Sequence, residues 1–178
     1  ARNMIKDGLF TRFPRPDYNL AFHVNAGMPT GKVGFLPGWA VANVDSVDIT
    51  VKGIGGHGAY PHTTKDPIVI AANIVTQLQT IVSRQIAPTD PAVVTVGSIH
   101  GGTKHNVIPN EVKLQLTLRS YTDEVRNETI SSIKKIVKGS AISAGLSEEN
   151  YPVIEIKDEY TPAVFNLSLI HISEPTRQ

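Results

Sequence analysis

Cysteine is absent from the 178 residues. That excludes disulfides and thiolate metal sites within the chain, and it is compatible with the cytoplasmic location we expect. An excess of either charge is missing as well. Seventeen Lys and Arg stand against sixteen Asp and Glu, for a net charge of +1, which gives no basis for a nucleic-acid or anionic-membrane partner. No apolar run approaches the ~20 residues of a membrane span, and no charged-then-apolar leader opens the sequence. What is present suffices for a core: 40% of residues are hydrophobic and 19% charged. The length suits one ordinary domain, or one small domain with pieces of another. The first residue is Ala1 and the sequence reads as starting inside a helix, so we expect a fragment.

The most unusual stretch is Gly53–His62, Gly-Ile-Gly-Gly-His-Gly-Ala-Tyr-Pro-His. Glycine allows close backbone approach at an entropic cost, so four of them around one imidazole suggest that His57 is to be placed near something. Taken by itself, the stretch also reads as a tight turn whose histidines are incidental, since Gly and Pro dominate turns.

Around it the periodicity is regular. Val47, Ile49 and Val51 alternate with Asp48, Thr50 and Lys52, as in a half-buried strand. Asp66-Pro67 supplies an N-cap and a first-turn proline for a helix to about Arg84, with Ile68, Ala71, Val75, Leu78 and Val82 as its apolar stripe. Val93–Ile99 is a β-branched strand, and Val112, Leu114, Leu116 and Leu118 mark another. Thr122-Asp123-Glu124 caps a second helix, which carries Ile130, Ile133, Val137, Ala141 and Ala144 and stops at Gly145. Tyr151–Lys157 is a last strand. The order is βαββαβ, a ferredoxin-like α+β fold with a four-stranded antiparallel sheet and two helices on one face. Before it, Ala1–Gly8 reads as a helix end, and Asn19–Val24 and Lys32–Leu36 as short strands.

These residues carry a resemblance. Val51-Lys52-Gly53 leading into Gly55-Gly56-His57-Gly58-Ala59-Tyr60-Pro61-His62 resembles the M20 metallopeptidases, in their amidohydrolase branch of hippurate and N-acyl-amino-acid hydrolases. Three further stretches agree: Asp66-Pro67-Ile68 with Gln79–Arg84, Val94–Thr103 followed by Asn106-Val107-Ile108-Pro109, and Met4–Phe10 with Phe22-His23-Val24. The resemblance implies a metal-dependent amidohydrolase or peptidase that cleaves N-acyl amino acids or small peptides. It implies two divalent ions per subunit, zinc or manganese, in an α/β catalytic domain, and a lid domain that forms a homodimer. The expected layout is 1–43 as a remnant of the catalytic domain, 44–158 as the lid, 159–166 as the return, and 167–178 as a tail. That tail resembles translated sequencing adapter, so His171 is not assigned as a ligand.

By the same resemblance, His23 is a metal ligand. His57 is catalytic, reaching a partner subunit's site to stabilise the tetrahedral oxyanion, and its glycines would let the loop approach that subunit. Asn106 and Arg119 bind substrate, Arg119 from the wet face of its strand as a fork for a carboxylate. His62 is expected to hold the loop by a side-chain hydrogen bond, and His100 and His105 have no specific role. The catalytic glutamate and most metal ligands are expected upstream, so the fragment itself should be inactive. The alternative is a stand-alone dimerisation or binding module that uses its open sheet face or an edge strand. A nucleotide-binding reading fails, because the loop lacks both Gly-x-Gly-x-x-Gly spacing and a P-loop ending.

Overall fold

The computed structural model describes residues 2–17, 22–157 and 160–166. The chain divides into two compact units, residues 1–34 and 35–178. In the first, α1 (Arg2–Lys6) ends at Gly8, whose φ of 87° suits glycine, and the chain then turns into a further helical turn, α2 (Leu9–Arg12). The strand expected over Asn19–Val24 lies mostly outside the described residues, and positions 22–24 are irregular. Lys32–Leu36 is not a strand either. Its residues are exposed and no ladder among the described residues pairs with them, and a short stretch without a sheet partner has nothing to fix it as β.

The second unit opens with β1 (Gly38–Val41), followed by β2 (Asp45–Lys52) and the short β3 (Gly56–His57). Then come α3 (Pro67–Thr80) with a π turn at Ile81–Gln85, β4 (Ala92–Gly101), β5 (Val107–Ile108) and β6 (Glu111–Ser120). It closes with α4 (Asp123–Ser143), β7 (Val153–Ile156) and β8 (Val164–Asn166). The main sheet is antiparallel in the order β4-β6-β2-β7. This is the ferredoxin-like α+β arrangement that the alternation of residues implies. Val47, Ile49 and Val51 of β2 and Val112, Leu114, Leu116 and Leu118 of β6 are buried on the helix side. The intervening Lys113, Gln115 and Arg119 stay exposed.

Both helices start as their sequences direct. Asp66 Oδ1 accepts from the Ile68 N–H at 2.8 Å with Pro67 in the first turn, and Thr122 Oγ1 accepts from the Val125 N–H at 3.3 Å. Such caps contribute about 1 kcal/mol each. Gly145, at φ 67°, ends α4. The stripe of α4 packs inward as expected, and that of α3 does so in part. Ile70, Ala71, Ile74, Leu78 and Ile81 are buried, whereas Ile68 is 43% and Val82 40% exposed. Helix α3 is apolar on two sides, and the buried face is rotated from the expected one: Ala71, Leu78 and the partly buried Val75 are shared, while Ile70, Ile74 and Ile81 take the place of Ile68 and Val82.

Entry to and exit from the sheet lie side by side. β1 pairs with β8, and Trp39 packs edge-on to Phe165 at 4.8 Å and stacks on Tyr121 at 5.4 Å. The buried Asn43 exchanges hydrogen bonds with Ser120, each at 2.7 Å. Arg126 of α4 donates two 2.7 Å bonds to the buried Asp45, and its guanidinium sits 4.3 Å from the Tyr160 ring centre.

Candidate functional site

The glycine-histidine loop joins β2 to α3 and is sewn to the segment before β6. The Gly53 N–H donates to the Asn110 carbonyl at 2.8 Å, the Gly55 N–H to Asn110 Oδ1 at 3.0 Å, and the Gly58 N–H to the Asn106 carbonyl at 2.8 Å. Strand β3 pairs with β5, setting His57 opposite Val107. The sequence reading expected the glycines to serve approach to another subunit. The structure shows a use for two of them inside this chain, where the lack of a side chain is required. A Cβ on Gly53 would collide with the Lys65 carbonyl oxygen, and one on Gly55 would lie 2.6 Å from the Ile108 oxygen. Neither residue has a positive φ. Close approach, not backbone freedom, requires glycine here.

Within this frame His57 is exposed. Its Nδ1 accepts the Ala59 N–H at 3.0 Å. A backbone amide can only donate, so Nδ1 carries no proton and the neutral ring carries it on Nε2. Among the described residues Nε2 has no partner, so the loop presents a solvent-facing N–H donor. The Tyr60 ring lies 5.6 Å from the imidazole. His62 packs edge-on to Tyr60 at 6.2 Å, a ring contact in place of the expected hydrogen bond. The turn is held instead by two threonines that the sequence reading did not single out. Thr63 Oγ1 donates to the Tyr60 carbonyl at 2.9 Å and Thr64 Oγ1 to the Pro61 carbonyl at 2.8 Å. Asn110 was missed as well, although an asparagine directly after Pro109 at a strand start is a recognisable turn signal.

Of the expected site residues, the structure brings two together. His57 and Asn106 sit at the end of the sheet where β2 finishes and β6 begins. Arg119 is exposed and pairs with Val93 near the other end of β6. Eight residues separate Glu111 from Arg119, roughly 26 Å of strand at ~3.3 Å per residue. His100 lies opposite Lys113 on the exposed face, and His105 is exposed in the loop before β5. His23 belongs to the first unit, is exposed, and has Nδ1 2.7 Å from the Val24 carbonyl oxygen, to which it donates. Among the described residues no group of three or more His, Cys, Asp or Glu side chains could hold a metal ion. These residues by themselves therefore do not fit a dinuclear centre. No helix among them is long and apolar enough to cross a membrane.

Residues 40–143 match the M20 peptidase dimerisation domain. The chain belongs to the M20 peptidase family. Among its M20 relatives, N-acetyldiaminopimelate deacetylase of Priestia megaterium is 44% identical over 70% of this chain and 33% of that protein. Thermostable carboxypeptidase 2 of Saccharolobus solfataricus is 32% identical over 98% of this chain and 46% of that one. A crystal structure from methicillin-resistant Staphylococcus aureus, described as an aminohydrolase, superposes with a TM-score of 0.70 at 36% identity, covering 81% of this chain and 37% of that one. The chain thus spans between a third and a half of the length of these relatives.

Proposed function

We propose that this chain is the lid, with adjoining catalytic-domain residues, of a metal-dependent amidohydrolase that cleaves the amide of an N-acyl amino acid or a small peptide. The observation that carries the proposal is the clamped loop that offers the exposed Nε2–H of His57 beside Asn106. A preorganised neutral donor aimed at a developing oxyanion stabilises the transition state more than the ground state. The names of the relatives, a deacetylase of an N-acetylated diamino acid and a carboxypeptidase, support an amide bond next to an amino acid. Dependence on two divalent ions, zinc or manganese, rests on family membership. His23 is the ligand that this chain would contribute.

The chain is proposed to act as a homodimer through α3 and the edge of β4. A single small substrate cannot touch His57, Asn106 and Arg119 of one chain, because a strand's length separates them. A two-fold axis that pairs β4 antiparallel with its copy reverses the ends. Arg119 of one subunit then comes to the end of the sheet where the other subunit holds His57 and Asn106. In this reading Arg119 binds the substrate carboxylate with its planar fork, while His57 and Asn106 of the second subunit face the scissile carbonyl.

The test is His57→Ala in the full-length enzyme. The expected result is a 10²- to 10³-fold fall in kcat, the usual cost of one oxyanion donor, with metal content unchanged by atomic absorption. Metal loss in proportion to activity loss would instead make His57 a ligand or a structural residue.

A further inference from the structure

Resting on the catalytic reading of His57, we propose that Asn110 is a positioning residue that fixes where the imidazole stands relative to Asn106. Three backbone ties hold the loop: the Ile54–Lys65 bridge, with both hydrogen bonds at 2.9 Å, the pairing of β3 with β5, and a bond to the Asn110 carbonyl; the side chain of Asn110 adds a fourth. The Asn110 carbonyl accepts the Gly53 N–H at 2.8 Å, and its side-chain Oδ1 accepts the Gly55 N–H at 3.0 Å. The space between is closed, since a Cβ on Gly55 would stand 2.8 Å from Oδ1. Two residues beyond Gly55 comes His57, and Gly58 is tied to the Asn106 carbonyl at 2.8 Å. The catalytic donor and the substrate-binding amide therefore hang from the segment 106–110, and the side chain of Asn110 is the removable fastening. Asn110 is exposed and outside the core, so its side chain contributes little to burial. It acts through His57.

The position calls for an acceptor, not an amide as such. Aspartate keeps an oxygen at Oδ1 with nearly the same shape, whereas alanine removes it. Asn110→Ala in the full-length enzyme should lower kcat on the order of ten- to a hundredfold, as slight misplacement of a reacting group does. KM and thermal midpoint should change little, and Asn110→Asp should recover most of the rate. In a His57→Ala background, Asn110→Ala should add no further loss, because a residue that works through His57 has nothing left to position. An additive loss would overturn the proposal and leave the role of His57 intact, whereas a His57→Ala enzyme with normal kcat would overturn the catalytic reading itself. A second measurement is independent of activity. In NMR spectra of the 178-residue chain, Asn110→Ala should shift the His57 ring and Ala59 amide signals and speed exchange of the Gly55 amide. If all three stay unchanged, Asn110 does not position the loop.

Discussion

The two helices of the four-stranded unit occupy equivalent places in the βαββαβ order, yet their halves differ in charge. From Pro67 to Thr103, through α3 and β4, the charged residues are Arg84 and Asp90 alone. From Thr122 to Lys157, through α4 and β7, there are eleven. The edges differ in the same sense. β4 is ten residues long and uncharged, whereas β7 has four residues and holds Glu155, which pairs with Lys157 at 2.9 Å. Short, charged edges discourage strand addition, and long uncharged ones invite it. Ile68, Ala72, Val75, Gln79 and Val82 of α3 and its π turn add a second, mostly apolar stripe, with Ile68 and Val82 about 40% exposed. The difference is what the proposed dimer uses, with the charged half in solvent and the uncharged half against the second subunit.

The largest effect should come from charging that stripe. Ile68→Glu with Val82→Glu should convert the full-length enzyme from dimer to monomer in sedimentation velocity and remove activity at least 10²-fold, since a shared site loses its donor. The matching reversal on the other half, Lys134→Glu with Lys135→Glu, should change neither. A smaller effect separates the two sides of α3 itself. Leu78→Ala, at a fully buried position, should cost ~2–5 kcal/mol in urea unfolding. Val82→Ala, on the outer side, should cost within ~0.5 kcal/mol for the isolated subunit. The smallest effect belongs to the charged half. Burial, and then its hydrogen bond to Asp123, raise the Tyr160 phenol above its ordinary value of 10.0. The folded state then holds this proton more tightly than the unfolded one. Its contribution is complete below the unfolded value and is lost as pH rises through the folded one. Unfolding midpoints should therefore fall as pH rises above the ordinary tyrosine value of 10.0, and Tyr160→Phe should flatten that part of the slope.

The sheet was legible because β2 and β6 each have one dry and one wet face, and period-two alternation reports that directly. α4 was legible for the same reason, with polar residues on its outer side. α3 was legible in part, since Ala71, Val75 and Leu78 face the core, but both of its sides are apolar, so the spacing could not separate Ile68 and Val82 from the buried Ile70, Ile74 and Ile81. The loop was legible as a place but not as a mechanism. Four glycines marked Gly53–Gly58, while the reason for two of them lies in the carbonyls of Lys65 and Ile108, remote in sequence. The side chain that fastens the loop, Asn110, stands 53 residues beyond His57 and makes a contact that no local pattern encodes. The expected adapter tail, 167–178, lies outside the described residues.

The central claim is that one active site draws Arg119 from one subunit and His57 from the other. Mixed dimers test it most directly. His57→Ala and Arg119→Ala enzymes, each nearly inactive, are unfolded and refolded together in equal amounts. If the residues meet across the dimer, half of the dimers are mixed and each has one intact site. Activity should then return to about a quarter of the wild-type rate, the binomial share for a two-fold dimer. If His57 and Arg119 served the same site from the same chain, every site in the mixture would lack one of them. Activity would then stay at the level of the separate variants, contradicting the account.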